Sequence, residues 1–504
     1  MAVGPAAQLT AATPAVLPRP DATLPAKRSD GLILLALLVV GAVLRGIDLG
    51  DGLWYDEIAT LVRYVRRPLG EIVTRFDTQN QHMLYSILAH AAVRLFGEHP
   101  WTLRLPAAVF GVASIWAVWR LGVRITSRRE ALIAAGLISV SSTHVWFSQD
   151  ARGYTMLLFF SVVGTGIFFD LLERGERRSG VAYAIVMALA CWTQVAGAFV
   201  VAGHGLVWLT REVRGAWFAR GPGDTRSFHI MRTAQFTPLV AMIGTGILSA
   251  VLYAPVLGAM THTLAGPGAT GGAPEWKSLG WFVRQAAGGL VRGIPGGWIA
   301  LLVGGVVALV GVASYWRRAP IATLLLLAPG LVTAVVMLVT AHNLWPRLFF
   351  FAVGFAALIA VRGGFAICRM ALGERGKMVA TVGAILAGVA SLATVPRVWA
   401  PKQDYGGAMR WLAQANTARE PVITLDMTRL PYRDYYQTSY IAADSEPQIV
   451  QAESQGHAWV LVTFPERLEA VDSATWSHLH CCYQEIRRFG GSVDGGTILV
   501  MHSR

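Results

Sequence analysis

Long apolar runs separated by short basic clusters make up most of this chain. The first run, Gly31 to Ile47, leads into a loop that opens with Trp54-Tyr55-Asp56-Glu57. His82 to Phe96 is also apolar, but at about fifteen residues, with His90 and Arg94 inside it, it is shorter than the roughly twenty residues a span requires. It reads as an amphipathic helix lying in the membrane interface. Parity then runs inward through Trp101 to Trp119, out through Ala131 to Phe147 and back through Tyr154 to Leu172. Val181 to Thr210 is uncharged with basic loops at both ends, so it reads as a hairpin turning near Gln194 to Gly197. Phe236 to Leu257, Trp298 to Trp316, Ile321 to Thr340, Leu348 to Val361 and Met378 to Val395 complete about eleven spans. In this register the dense clusters Arg120 to Arg129, Arg174 to Arg178, Arg317-Arg318 and Arg362 to Lys377 all face the cytoplasm, as the positive-inside rule asks. Arg63, Arg66, Arg67 and Arg75 of the first outer loop break the rule and point to an anionic ligand or anionic lipid heads.

The two ends differ from the middle. Met1 to Asp30 is rich in Ala and Pro and reads as a disordered cytoplasmic tail. From residue 397 to 504 the chain takes on soluble character. Pro421 to Met427, Ala458 to Phe464 and Thr497 to His502 predict buried strands, and Gly407 to Ala415 and Arg433 to Tyr440 predict helices. The expected architecture is an all-α polytopic membrane domain over residues 31–396 with a small α/β domain after it. The parity count places that domain outside the cytoplasm.

Composition agrees. Of 504 residues, 54% are hydrophobic and 14% charged, and the mean hydropathy is +0.48, which excludes an ordinary soluble protein. The net charge of +13 is dispersed among loops rather than gathered on one face, which argues against a nucleic-acid partner. Four cysteines lack ligand spacing for a metal. Cys191 and Cys368 read as packed, and Cys481-Cys482 as two free thiols rather than a vicinal disulfide.

Parity gathers polar groups at the outer border. Asp56 and Glu57 share their loop with Gln79-Asn80-Gln81-His82. Gln149-Asp150-Ala151-Arg152-Gly153-Tyr154 forms a second outer turn, and His342-Asn343-Leu344-Trp345-Pro346-Arg347 a third. Carboxylates at a membrane border mark ion, proton or substrate chemistry, against the alternative that they face water and cap a helix. An imidazole and two arginines beside them suit a hydroxyl that loses a proton and a phosphate that is held. His144, inside a span, reads as a packed or hydrogen-bonded histidine.

Trp-Tyr-Asp-Glu after the first span, Asn-Gln-His-Met-Leu-Tyr opening the interfacial helix and Ser-Gln-Asp-Ala-Arg-Gly-Tyr after the third span resemble the GT-C glycosyltransferases. The nearest branch is the one with protein O-mannosyltransferases and the aminoarabinose transferase of lipid A. The resemblance runs from about Gly31 to Asp170, loosens through the later spans and ends near Val395. It implies transfer, with inversion, of a sugar from a polyprenyl-phosphate donor to an acceptor hydroxyl outside the cytoplasm. The bacterial inner membrane is the expected location. By the family motif Asp56 is the general base; Arg152 and Arg347 offset charge on the departing phosphate, and His82 binds phosphate or sugar. Glu57, Asp150 and Tyr154 complete the expected substrate contacts. Tyr154 stands where many relatives carry an acid, and Leu348 where many carry an aromatic residue.

The sugar and the acceptor (protein, lipid or glycan) stay open at this stage, as does metal use. No cofactor is assigned, and a divalent cation held by Asp56, Glu57 and Asp150 is an alternative. The rival functions are a transporter or flippase of lipid-linked sugars, which would place acids or broken helices at mid-span, and a scaffold that displays the C-terminal domain.

Overall fold

The computed structural model describes residues 28–79, 81–218, 225–266, 274–293, 296–454 and 456–504. Most of the expected tail, and Asn80 of the first loop, lie outside these residues. Residues 28–30 belong to the first helix, Arg28–Gly46, rather than to a tail, and Asp30 pairs there with Arg128 at 3.6 Å.

Seven segments among the described residues are long and apolar enough to cross a membrane, and one of them, Pro346–Val398, holds two helices in succession, Val353–Leu372 and Gly376–Leu392. Met83–Phe96 is a separate helix of 14 residues, about 21 Å at 1.5 Å per residue and short of a hydrocarbon core of about 30 Å. The expected hairpin is two helices, Arg177–Thr193 and Gly197–Phe218, broken where the sequence reading put the turn.

The run Ala131 to Phe147, expected as one straight span, is instead two helices, Arg128–Ser139 and Ser142–Ser148, bent by 61°. Ser141 starts the second by accepting a hydrogen bond from the His144 amide. A broken helix frees the carbonyls of its last turn, which need partners when buried. Arg45, 1% exposed, supplies them: its guanidinium donates to the carbonyls of Ser139 (3.0 Å) and Ile138 (3.2 Å), to Ser148 Oγ (3.1 Å) and to Gly41 O (2.7 Å), and lies 2.7 Å from His144 Nδ1. Gly111 lets the neighbouring Pro100–Ile125 helix approach this brace, because a Cβ there would fall 2.2 Å from Ser148 Oγ.

The C-terminal part forms a five-stranded sheet, β1 (Val422–Leu425), β2 (Ile441–Ala443), β3 (Trp459–Thr463), β4 (Tyr483–Phe489) and β5 (Ile498–Ser503), in the order β2-β1-β3-β5-β4. β1 runs parallel to β2 and β3, whereas β5 is antiparallel to β3 and β4. β1 and β3 are buried along their whole length, as strands covered on both faces are. One face packs with Ile449, Leu468 and Leu479 of its own helices; the other joins the main core through Tyr405, Leu412 and Tyr432.

Two local readings are corrected. Arg433 to Tyr440 is not a helix: a single π-helical turn, Pro431–Tyr435, is followed by extended chain, as the Pro at its start and aromatic packing of Tyr432 on Tyr405 allow. Cys481 and Cys482 are joined by a disulfide rather than standing as free thiols, the side chains being brought together at the helix end that enters β4. Replacing Arg45 with Met should leave the Ser139 carbonyl without its donor and the Ile138 carbonyl with only the Ser141 amide at 3.4 Å, at a cost on the order of 2 kcal/mol; thermal unfolding of the purified protein, read by the fluorescence of its tryptophans, measures it.

Candidate active site

The loop after the first helix turns into a short helix, Tyr55–Thr60, whose first turn holds both acids. Successive residues on a helix point in directions about 100° apart, so Asp56 and Glu57 cannot serve the same partners. Glu57 points inward and is fully buried. Arg104 forks onto it, Nε to Oε1 at 2.7 Å and Nη2 to Oε2 at 2.6 Å. The Ala151 amide donates to Oε1 at 2.9 Å, and Lys402 Nζ lies 3.7 Å away. Burial pushes the Glu57 carboxyl up, but Arg104 and Lys402 outweigh it and hold the group below the usual range. Arg104 has every N–H engaged, since it also donates to the carbonyls of Leu49, Asp51 and Gly52. Glu57 is thus the anchor of the loop, tied to two other elements.

Asp56, 5% exposed, faces the other way. Its Oδ2 is 3.3 Å from Arg347 Nη1 and 3.7 Å from Arg152 Nη1. Among the described residues no hydrogen-bond donor reaches its Oδ1. Arg347 is held by the Trp345 ring, 5.1 Å from its guanidinium carbon, on the 3-10 turn Pro346–Ala352. Arg152 is 1% exposed, its Nε lacks a partner among the described residues, and it lies over the Tyr154 ring at 5.9 Å.

His82 sits behind Arg152. Its Nδ1 accepts from the Gly153 amide at 2.7 Å, and its ring meets Tyr154 edge-on at 5.2 Å. Burial, with Arg152 and Arg347 adding to it, holds the imidazole well below its usual range, so it is neutral near pH 7. Because Nδ1 accepts, the single ring proton of the neutral form resides on Nε2. That Nε2 is 3.5 Å from Arg152 Nη2. Two donors therefore converge with no acceptor between them, the arrangement that an anionic oxygen satisfies.

Asp150, also buried, accepts from Trp54 Nε1 at 2.9 Å, and its Oδ2 has no partner. Burial pushes its carboxyl up to about 6, with Lys402 opposing and Glu57 adding to the rise.

Every candidate site residue therefore gathers around one turn, though not in one role. Asp56, His82, Arg152, Tyr154 and Arg347 form one connected cluster. Glu57 and Asp150 lie behind it, facing Lys402. The ligating atoms of Asp56, Glu57 and Asp150 do not come together as a metal-binding group; the gathered trio among the described residues is His478 with Cys481 and Cys482, whose sulfurs are already bonded to each other. Of the basic residues in the first loop, Arg66 pairs with Glu98 at 2.7 Å, and Arg67 and Arg75 flank Glu71 at 3.9 Å.

Sequence reading missed Arg104 and Lys402. Arg104 had a signal, a charge four residues inside an apolar helix beginning at Pro100. Lys402 had none: it stands beside Pro401 at the junction with the C-terminal sheet, donates to Gln149 O, and is followed by Gln403, which accepts from the Tyr55 amide at 3.0 Å and donates to Thr463 Oγ1 at 3.0 Å.

Comparison with known proteins is consistent with this geometry. Residues 81–220 match the family model of dolichyl-phosphate-mannose-protein mannosyltransferases, a stretch holding His82, Asp150, Arg152 and Tyr154. Among solved structures, ArnT from Cupriavidus metallidurans bound to undecaprenyl phosphate is 13% identical, with 94% of this chain and 97% of that one covered, at a TM-score of 0.51. The apo oligosaccharyltransferase of Archaeoglobus fulgidus is also 13% identical, covering 94% of this chain and 76% of that one, again at 0.51. Among curated proteins none matches. The fold is that of the GT-C glycosyltransferases.

Two measurements test the roles given to the anchor and to Asp150. Arg104→Lys keeps the charge but loses the fork; hydrogen exchange over residues 48–60 should rise at least tenfold while the C-terminal sheet stays protected. For Asp150, a native value above the unfolded one means that the folded state binds more protons between about pH 4 and 6, so stability falls as pH rises through that window. Asp150→Asn should remove this slope, and its melting temperature should exceed that of the native protein above pH 6 but not at pH 4.

Proposed function

We propose that this chain transfers a sugar from a polyprenyl-phosphate donor to an acceptor hydroxyl, with Asp56 as the general base. A glycosyltransferase of GT-C type is supported by the matched family model together with the fold. The observation that carries the finer reading is the division of the Asp56 carboxylate, with two arginines on Oδ2 and none of the described donors on Oδ1.

In the proposed reaction the acceptor hydroxyl gives its proton to Asp56 Oδ1 as its oxygen bonds to the anomeric carbon. The bond from that carbon to the phosphate oxygen breaks on the opposite face, which inverts the centre. The phosphate departs with the electron pair, toward Arg152, Arg347 and the Nε2–H of His82. Phosphate is a good leaving group, so no second carboxyl is needed as an acid, in contrast to glycoside hydrolysis. The arginines stabilise charge as it develops, the largest contribution in many such transfers. Tyr154 packs the imidazole in place where relatives carry an acid, which points to a different sugar contact here.

The proposed setting is the bacterial inner membrane, with residues 31–396 as the transferase domain. The basic clusters at Arg124 to Arg129 and Arg362 to Lys377 face the cytoplasm in this reading, and Asp56 and residues 397–504 face outside. Donor and acceptor therefore meet on the extracytoplasmic side; the acceptor is a protein, lipid or glycan.

Transfer from synthetic polyprenyl-phosphate sugars, followed with a radiolabelled sugar, tests this reading. Asp56→Asn should lower kcat by about 10²–10⁴-fold, the range of a lost general base, with little change in donor KM. Arg152→Ala should weaken binding of polyprenyl phosphate to the enzyme as well as lower the rate. Full transfer by Asp56→Asn would overturn the assignment of the base, and movement of labelled lipid across the bilayer without consumption would favour a flippase.

A further inference from the structure

A large cavity lies at the far end of the helices. Arg104 near one end of the Pro100–Ile125 helix holds Glu57, and Arg124 near the other end lines this cavity. Twenty residues at 1.5 Å each separate the two by about 30 Å. The cavity has a volume of about 1330 Å³, above the roughly 300–1,000 Å³ of ordinary small-molecule pockets.

Its lining is polar at one end only. Seven cations stand there, Arg124, Arg128, Arg129, Arg318, Arg362, Arg369 and Lys377. Four carboxylates answer them among the described residues: Asp170 on Arg124, Asp30 on Arg128 at 3.6 Å, Glu130 on Arg362 at 2.9 Å, and Glu374 shared by Arg369 (3.6 Å) and Lys377 (2.8 Å). Three positive charges are left over, and Arg129 and Arg318 have no carboxylate partner among the described residues. Away from this end the walls are apolar, with Leu37 from the first helix, Ile133 and Leu137 from the Arg128–Ser139 helix, and Ile385, Val389 and Leu392 from the Gly376–Leu392 helix. From Lys377 to Leu392 that wall extends about 22 Å, beyond the depth of one leaflet, about 15 Å. Ile33, Ile385 and Val389 line the cavity and are also exposed on the outside of the molecule, so the groove opens sideways between the first helix and the Gly376–Leu392 helix.

We infer that this groove seats one anionic phospholipid taken from the bilayer, its phosphate among Arg129, Arg318 and Arg369 and an acyl chain against Leu37, Leu137 and Ile385. A free phosphate would satisfy the cations but leave the apolar wall unused. A zwitterionic lipid would fill the wall but bring a second positive charge to a site with three in excess. Border cations ordinarily snorkel toward headgroups from the protein exterior; here they line a recess, which selects for one bound molecule rather than a loose shell. The site is separate from Asp56 and does not depend on the reaction proposed for it.

The test uses the full chain, delipidated in detergent and examined by native mass spectrometry with phosphatidylglycerol, phosphatidylcholine or inorganic phosphate added. One phosphatidylglycerol should be retained at roughly tenfold lower concentration than phosphatidylcholine, a difference of about 1.4 kcal/mol, and it should raise the melting temperature where inorganic phosphate does not. Arg129→Ala with Arg318→Ala should erase the preference. Gly388→Leu, at a position on the groove wall where a Cβ meets only Val140 and Leu137 at ordinary contact distances, should block retention with every charge in place. If the double variant does not fold, Arg318→Ala alone decides the same point. Equal retention of the two lipids, unchanged binding by these variants, or equal stabilisation by inorganic phosphate overturns the proposal.

Discussion

The buried pair of Glu57 and Arg104 sets the geometry around Asp56. Taking two charges out of water is costly, and their attraction offsets that cost only when the geometry is close and the remaining donors and acceptors are matched. Here they are. Arg104 uses all its N–H groups on Glu57 and on three carbonyls of the approaching loop, and Glu57 takes the Ala151 amide as well. One ion pair thereby fixes the loop after the first helix, the start of a long membrane helix and the turn that carries Arg152. The positions of Asp56 and its two arginines follow from that arrangement.

Two adjacent acids therefore divide their work by direction. Glu57 is neutralised from within and keeps its neighbour in place, whereas Asp56 keeps one oxygen free of the described donors. Asp150 belongs to the same inner group, and its raised affinity for a proton reflects burial first, with Glu57 adding to it. Lys402 stands between these two carboxylates and is the only ammonium among the described residues that the site draws from the C-terminal part. Placing a strongly hydrated point charge there, where Arg would demand planar partners, lets a single group answer two carboxylates at once.

Much of this was legible from hydropathy and charge alone. The spans, the short Met83–Phe96 helix and the break near Gln194 follow from run length and loop charge, because a bilayer leaves few other ways to bury apolar chain. The three polar turns meet at one end of the helices, the same-side placement that parity requires. Features that depend on contacts between distant residues were not legible. The bend at Val140 and Ser141 is braced by Arg45, about 94 positions away, and by Ser391 Oγ, which donates to the Val140 carbonyl at 3.0 Å, and these distant partners leave no mark in the local sequence. The disulfide of Cys481 and Cys482 is likewise a matter of backbone placement. β2 has three residues, too few for a pattern, and β4 is exposed along most of its length, so neither carries the apolar signature that revealed β1, β3 and β5. The division between Asp56 and Glu57 could be suspected from their adjacency but was decided by Arg104, which looked like one more charge near a helix end.

The contacts of Lys402 and Gln403 bear on how the protein comes into being. The Tyr55 amide finds its acceptor 348 positions further along the chain, and Glu57 gains its second cation from the residue before that acceptor. During synthesis every membrane helix emerges before either residue does. A chain halted short of Pro401 would carry Asp56 and its arginines yet leave Glu57 without its second cation and the Tyr55 amide unanswered. The site is closed by residues that follow the last described membrane helix, so its maturation waits on their synthesis.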